Sequence, residues 1–184
     1  MSFNFPAIPL FSCFKVLVYA LLGLNTAVFI YTGTPSEGLD SAAWLILLVL
    51  FEIETGSGPM LPKRTAMVHA LRLLAAIAIP VAAVGYVIDS EWVDAINAVV
   101  WIAVVLMLEF QVRFPRAAAD YRAVINVVAI GLYVSLGCVV LVWLWRADWF
   151  SAYDAFLWLL AFATIEINVL HGLRRPAPRH SEAG

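Results

Sequence analysis

The chain has 184 residues, of which 64% are hydrophobic and only 13% charged, with a formal net charge of −2. A mean hydropathy of +0.92 excludes an ordinary soluble domain, which needs a charged surface to cover its core. The slight negative charge, with no clustered basic face, excludes nucleic acid as a partner. The solvent this composition demands is a lipid bilayer.

A hydrocarbon core of about 30 Å takes roughly 20 apolar residues per helix. Six apolar runs follow one another near 11–32, 40–55, 66–88, 93–113, 118–145 and 154–173. The second is short and should cross with little tilt or continue into the interface. The first holds Lys15 inside its apolar stretch and has no small-residue cleavage site before Thr32–Pro35, so it is predicted to stay rather than be removed as a signal peptide. Cys13 and Cys138 fall inside apolar runs, where a thiol acts as a small hydrophobic group, and no disulfide is expected.

Basic residues collect on the cytoplasmic side of a membrane. The breaks alternate: Glu37 and Asp40 without a base, then Lys63 and Arg64, then Asp89 and Glu91 without a base, then Arg113, Arg116 and Arg122. Arg146 in the fifth break is offset by Asp148 and Asp154, and Arg174, Arg175 and Arg179 mark the tail. Both termini are therefore predicted to be cytoplasmic, and the expected location is a bacterial inner membrane. The basic segments are expected to set topology and touch anionic headgroups.

Sliding the sequence against itself by 57 residues aligns Trp44, Trp101 and Trp158, and with them Glu52, Glu109 and Glu166. Asp40, Asn97 and Asp154 match four residues before each tryptophan, and Glu54, Gln111 and Asn168 two residues after each glutamate. In the partner helices Gly23, Pro80 and Gly137 align, as do Phe29, Tyr86 and Trp143. These are positions for helix bends and for aromatic rings at an interface. The predicted fold is an all-α membrane domain over 1–184: repeats 1–57, 58–114 and 115–171 and a cytoplasmic tail 172–184. Each repeat is a helical hairpin entering with the same orientation, which implies six spans around a pseudo-threefold axis. Ala75, Ala76, Ala82, Ala83, Gly131 and Gly137 are expected at close helix contacts.

The repeated polar positions are the candidate site. Asp40 and Asp154 stand where helix N-caps are needed. Trp44, Trp101 and Trp158 read either as interfacial anchors or as a ligand-stacking surface around the axis. A carboxylate inside a membrane helix costs several kcal/mol unless paired, hydrated or protonated, so Glu52, Glu109 and Glu166 need an explanation. One is structural: Lys15 and Arg72 each precede a glutamate by 37 residues, Arg122 serves the third repeat, and Arg113 follows Glu109 by four. The other is a ring of oxygens that binds a cation or passes protons; a divalent cation would suit such a ring. Glu54, Gln111 and Asn168 point about 200° away from the glutamates, so only one of the two sets can face the axis while the other turns to neighbouring helices or lipid headgroups.

His69, His171 and His180 form no ligand set, no catalytic motif is present, and no resident cofactor is expected. The function these features favour is a small transporter or channel handling a cation or proton through Glu52, Glu109 and Glu166. The rival is a non-transporting accessory or assembly subunit, packed against a membrane partner or a second copy, with the glutamates in ion pairs.

Overall fold

A computed structural model describes the backbone of residues 10–56 and 66–173 and the side chains of residues 13–53, 66–111 and 113–163. Within these the chain is all helix: α1 (Leu10–Thr32), α2 (Pro35–Gly56), α3 (Ala66–Ile88), α4 (Trp92–Arg113), α5 (Pro115–Asp120), α6 (Arg122–Trp145) and α7 (Trp149–Leu173). Six of them are 22–25 residues long, or roughly 33–38 Å at 1.5 Å per residue.

Four of these helices are long and apolar enough to cross a membrane: α1 over Cys13–Thr32, α3, α4 over Trp92–Gln111, and α6. The chain is thus a helical membrane protein. The first nineteen residues of α2 carry Glu37, Asp40 and Glu52, too much charge to stand out by composition alone. In α7 an apolar stretch is described over Trp149–Ala163, and the side chains beyond it lie outside the described residues.

Side-chain distribution supports lipid as the solvent. Helix α3 buries Ala75, Ile79, Ala82, Ala83 and Tyr86 while exposing Leu73, Leu74, Ile77, Val81 and Val84. Three of the five buried side chains are alanines and the exposed ones named are all large and apolar, as expected where close backbone approach drives helix association. Ala75, Ala82 and Ala83 thus meet their expected role; Ala76 is exposed, and Gly131 and Gly137 have open space where a Cβ would stand. Gly23 is equally open, and α1, α3 and α6 run through Gly23, Pro80 and Gly137 without a break. At Gly85 α3 approaches α2 closely, since a side chain there would strike Ser36. Cys13 and Cys138 are free and exposed.

The long helices pack in a closed ring, α1 on α2, α2 on α3, α3 on α4, α4 on α6, α6 on α7 and α7 back on α1, with α5 linking α4 to α6. Among the described residues α2, α4 and α7 make no close backbone approach to one another. Side chains fill the centre instead: Val18, Leu22, Leu48, Ile79, Val104, Leu136 and Leu157 form one core with the three repeated tryptophans.

Two helical connections are tight for the same reason. After α3, the Glu91 N–H donates to Tyr86 O (2.8 Å) and the Ser90 N–H to Val87 O (3.2 Å); after α6, the Asp148 N–H donates to Trp143 O (2.9 Å) and the Ala147 N–H to Leu144 O (3.1 Å). Each is a Schellman turn, which requires a left-handed residue, and Ser90 (φ 64°) and Ala147 (φ 59°) supply it.

Helix starts differ from the sequence reading. Both α2 and α7 begin more than a turn before 40 and 154, because turn-forming residues precede each apolar run. Thr34 caps α2: its Oγ accepts from the Glu37 N–H (3.3 Å), while Glu37 Oε2 accepts from the Thr34 N–H (2.6 Å). This is a capping box with proline at the first helical position. Asp148 caps α7 by accepting from the Ser151 N–H at 3.1 Å. Asp40 and Asp154 are therefore interior helix residues, not caps. The fifth run is divided at Tyr121 into α5 and α6.

Candidate functional site

Glu37, Asp40 and Trp44 are spaced i, i+3, i+7, which places them within about 60° on one face of α2. The same spacing gives Asp94, Asn97 and Trp101 on α4 and Ser151, Asp154 and Trp158 on α7. All nine side chains line one cavity, at the end of the bundle where α2, α4 and α7 begin. The neighbouring helices add Phe29, Tyr86 and Trp143, also 57 residues apart. About 50 Å³ is open to water centres, room for roughly three to five waters.

The floor is aromatic. Trp44, Trp101 and Trp158 are 8, 5 and 7% exposed, and the Trp44 ring centroid lies 6.2 Å from Trp101 and 6.3 Å from Trp158. Phe162 closes the group, 4.6 Å from Trp101 and 6.3 Å from Trp44. These tryptophans therefore meet inside the bundle and do not touch lipid headgroups. Rings that do face outward at the helix ends are others: Tyr31, Trp92, Trp145 and Trp149, with Trp145 88% exposed.

The walls are acidic. Four carboxylates line the cavity, from Glu37, Asp40, Asp94 and Asp154, and among the described lining residues there is no base. Neutral donors position two of them. Trp44 Nε1 donates to Asp40 Oδ1 at 3.0 Å, and the Tyr86 hydroxyl approaches Asp40 Oδ2 at 3.5 Å. Asn25 Nδ2 donates to Asp154 Oδ1 at 2.9 Å. Nearby, the buried hydroxyls of Thr26 and Ser41 share a hydrogen bond of 2.9 Å. On α4, Asn97 Oδ1 is buried and has no partner. Such an orphaned acceptor is costly unless something donates to it.

Glu52 and Glu109 lie elsewhere. Glu52, eight residues beyond Trp44, is turned about 80° from it around α2 and faces α1, where Lys15 Nζ meets its Oε1 at 2.5 Å. The Tyr19 hydroxyl stands 3.5 Å from Oε2. Glu109 pairs with Arg113 on its own helix at 2.5 Å, with both side chains more than half exposed. The side chains of Glu54, Glu166 and Asn168 lie outside the described residues. Gln111 is partly buried near the end of α4; Arg72 is partly buried on α3, and Arg122 is exposed at the start of α6. No three His, Cys, Asp or Glu side chains among the described residues converge to hold a metal ion.

No family model, curated protein or solved structure matches the chain.

Sequence reasoning passed over Glu37 and Asp94 because they lie in the first turn or two of their helices and resemble capping or loop acids. The signal that finds them is the repeat carried three residues upstream: Glu37, Asp94 and Ser151 align at the same 57-residue shift as the tryptophans. Asn25 and Thr26 carry no such signal, being buried polar residues of α1 alone.

Proposed function

We propose that this protein is a six-span membrane protein of three parallel hairpin repeats, with cytoplasmic termini, and that it transports a cation through the cavity at the non-cytoplasmic ends of α2, α4 and α7. What carries this reading is the concentration of four carboxylates in one cavity without a base among its described lining residues. Low-dielectric walls focus the field of such a group, and a cation is the species that relieves it. Helices α2, α4 and α7 supply the acids and the aromatic floor from equivalent repeat positions, as parallel repeats around a central axis would.

The cation site assigned here replaces the ring of glutamates. Glu52 is engaged by Lys15 and Glu109 by Arg113, and both face away from the cavity. Below the aromatic floor the apolar core fills the bundle, so the geometry fits the outward-facing state of an alternating-access cycle, with the rings as the closed barrier. The bacterial inner membrane remains the expected location from the charge pattern.

Flux in proteoliposomes tests this. Wild type is expected to move a monovalent cation, Asp40→Asn and Asp154→Asn together to abolish the flux, and Glu52→Gln to retain part of it. Equal flux in the cavity double variant would rule the reading out.

The second reading, an accessory or assembly subunit bound to a membrane partner or to its own copy, is favoured by one observation. The Lys15–Glu52 and Glu109–Arg113 ion pairs account for two repeated glutamates without transport.

A further inference from the structure

The cation-binding reading leaves the class of cation open, and the inference here rests on that reading. We propose that the cavity selects a small primary alkylammonium ion, with its –NH₃⁺ group toward Asp40, Asp154 and Asn97 and its alkyl end against the tryptophans.

The walls differ from what a hard metal ion needs. A divalent cation takes six or more oxygen ligands at close range, yet no set of three carboxylates among the described residues converges on one point. The floor offers indole rings and no oxygens. Rings of this kind attract organic cations through their quadrupole and shelter methylene groups from water. About 50 Å³ open to water centres accommodates a handful of non-hydrogen atoms, the size of methyl- or ethylammonium.

The polar groups distinguish a primary ammonium from a quaternary one. The Asp40 carboxylate takes Trp44 Nε1 on one oxygen and faces the Tyr86 hydroxyl with the other, which fixes its plane and leaves lone pairs free, since a carboxylate has about four acceptor positions. Asp154 is held on one oxygen by Asn25. Asn97 Oδ1, buried and unpartnered, is a third acceptor on the same cavity. An –NH₃⁺ group has three donors and no acceptor, and α2, α4 and α7 each contribute at least one acceptor to the cavity lining. A tetramethylammonium ion has none and would leave Asn97 Oδ1 unpaired.

Equilibrium binding to the full chain in nanodiscs, read by calorimetry and tryptophan fluorescence, tests this with methylammonium, ethylammonium, tetramethylammonium, Na⁺, K⁺ and Mg²⁺. The expected result is that ethylammonium binds at least tenfold tighter than K⁺ and than tetramethylammonium. Asn97→Leu is expected to lose that preference over tetramethylammonium, and Trp158→Leu, checked for intact folding by circular dichroism, the preference over K⁺. If K⁺, Na⁺ or Mg²⁺ binds as well as ethylammonium and Asp40→Asn removes that binding, the alkylammonium assignment is overturned while the cation cavity stands. If tetramethylammonium binds as tightly as ethylammonium, the primary-amine assignment is overturned. Absence of binding by every probe overturns the alkylammonium assignment and the cation-binding reading together.

Discussion

Trp44 donates its indole N–H to Asp40, one turn back on the same helix, at 3.0 Å. That bond joins the acidic wall of the cavity to its aromatic floor, so that ring and carboxylate hold one another in place. Trp44→Phe keeps the ring and removes the donor. It is expected to lower stability by about 1 kcal/mol and to weaken cation binding; thermal unfolding and a binding isotherm on the same preparation check both, and an unchanged isotherm would show that the bond does not orient Asp40.

Lys15 and Glu52 meet between α1 and α2 with 21% and 32% of their side chains exposed. A pair this sheltered leaves an uncompensated charge when one partner is lost. Lys15→Met and Glu52→Gln are each expected to destabilise more than their combination, with a coupling of about 1–3 kcal/mol in a double-mutant cycle. Additive effects would remove the hairpin-closing role. For Glu109 and Arg113, which are largely exposed, the same cycle is expected to give well under 1 kcal/mol.

Ser90 and Ala147 hold positive φ in the turns after α3 and α6, a conformation that costs a residue with a Cβ roughly 1–2 kcal/mol. Ser90→Gly and Ala147→Gly are each expected to raise stability by up to about 1 kcal/mol. A lowered unfolding midpoint in either variant would contradict the Schellman geometry.

Asp148 caps α7 and Thr34 caps α2. Asp148→Ala is expected to cost about 0.5–2 kcal/mol, measured by thermal unfolding, and Asp148→Asn much less, because the amide oxygen can still accept from Ser151. Similar losses in the two variants would mean that charge, and not the cap, is what matters there.

Glu91 lies in the turn between α3 and α4, and its Oε2 is buried without a partner. Burial, then the charges of Glu37 and Asp89, raise its pKa above the ordinary 4.5. In the unfolded chain the group loses its proton at lower pH than in the folded one. Folding is therefore favoured most below the unfolded value, and this contribution is lost as pH rises toward the folded one. Glu91→Gln is expected to flatten that decline and raise the unfolding midpoint at neutral pH; a pH series whose profile overlays the wild type would refute it.

Much of the fold was legible because lipid imposes long apolar runs. The third run, 66–88, coincides with α3, and the first and fourth agree with α1 and α4 to within a residue at each end. The starts of α2 and α7 were not, since hydrophobicity begins inside those helices while Thr34 and Asp148 cap them further upstream. Of the site, the repeated Asp40, Asn97, Asp154 and the three tryptophans were visible as a pattern, but their direction was not. Depth along a helix does not say which way a side chain points; the i, i+3, i+7 spacing of Glu37, Asp40 and Trp44 does. The glutamates drew attention as intramembrane charges, yet Glu52 stands a quarter-turn off that face and meets Lys15.

The most direct measurement is thermal unfolding of the purified protein across a series of monovalent cation concentrations, because a ligand that binds only the folded state raises its stability with concentration. Wild type is expected to gain several degrees at saturating ethylammonium or another monovalent cation, and Asp40→Asn with Asp154→Asn to gain none. A wild-type midpoint indifferent to every cation, or the same gain in the double variant, would contradict a cation site among Asp40, Asp154 and the three tryptophans.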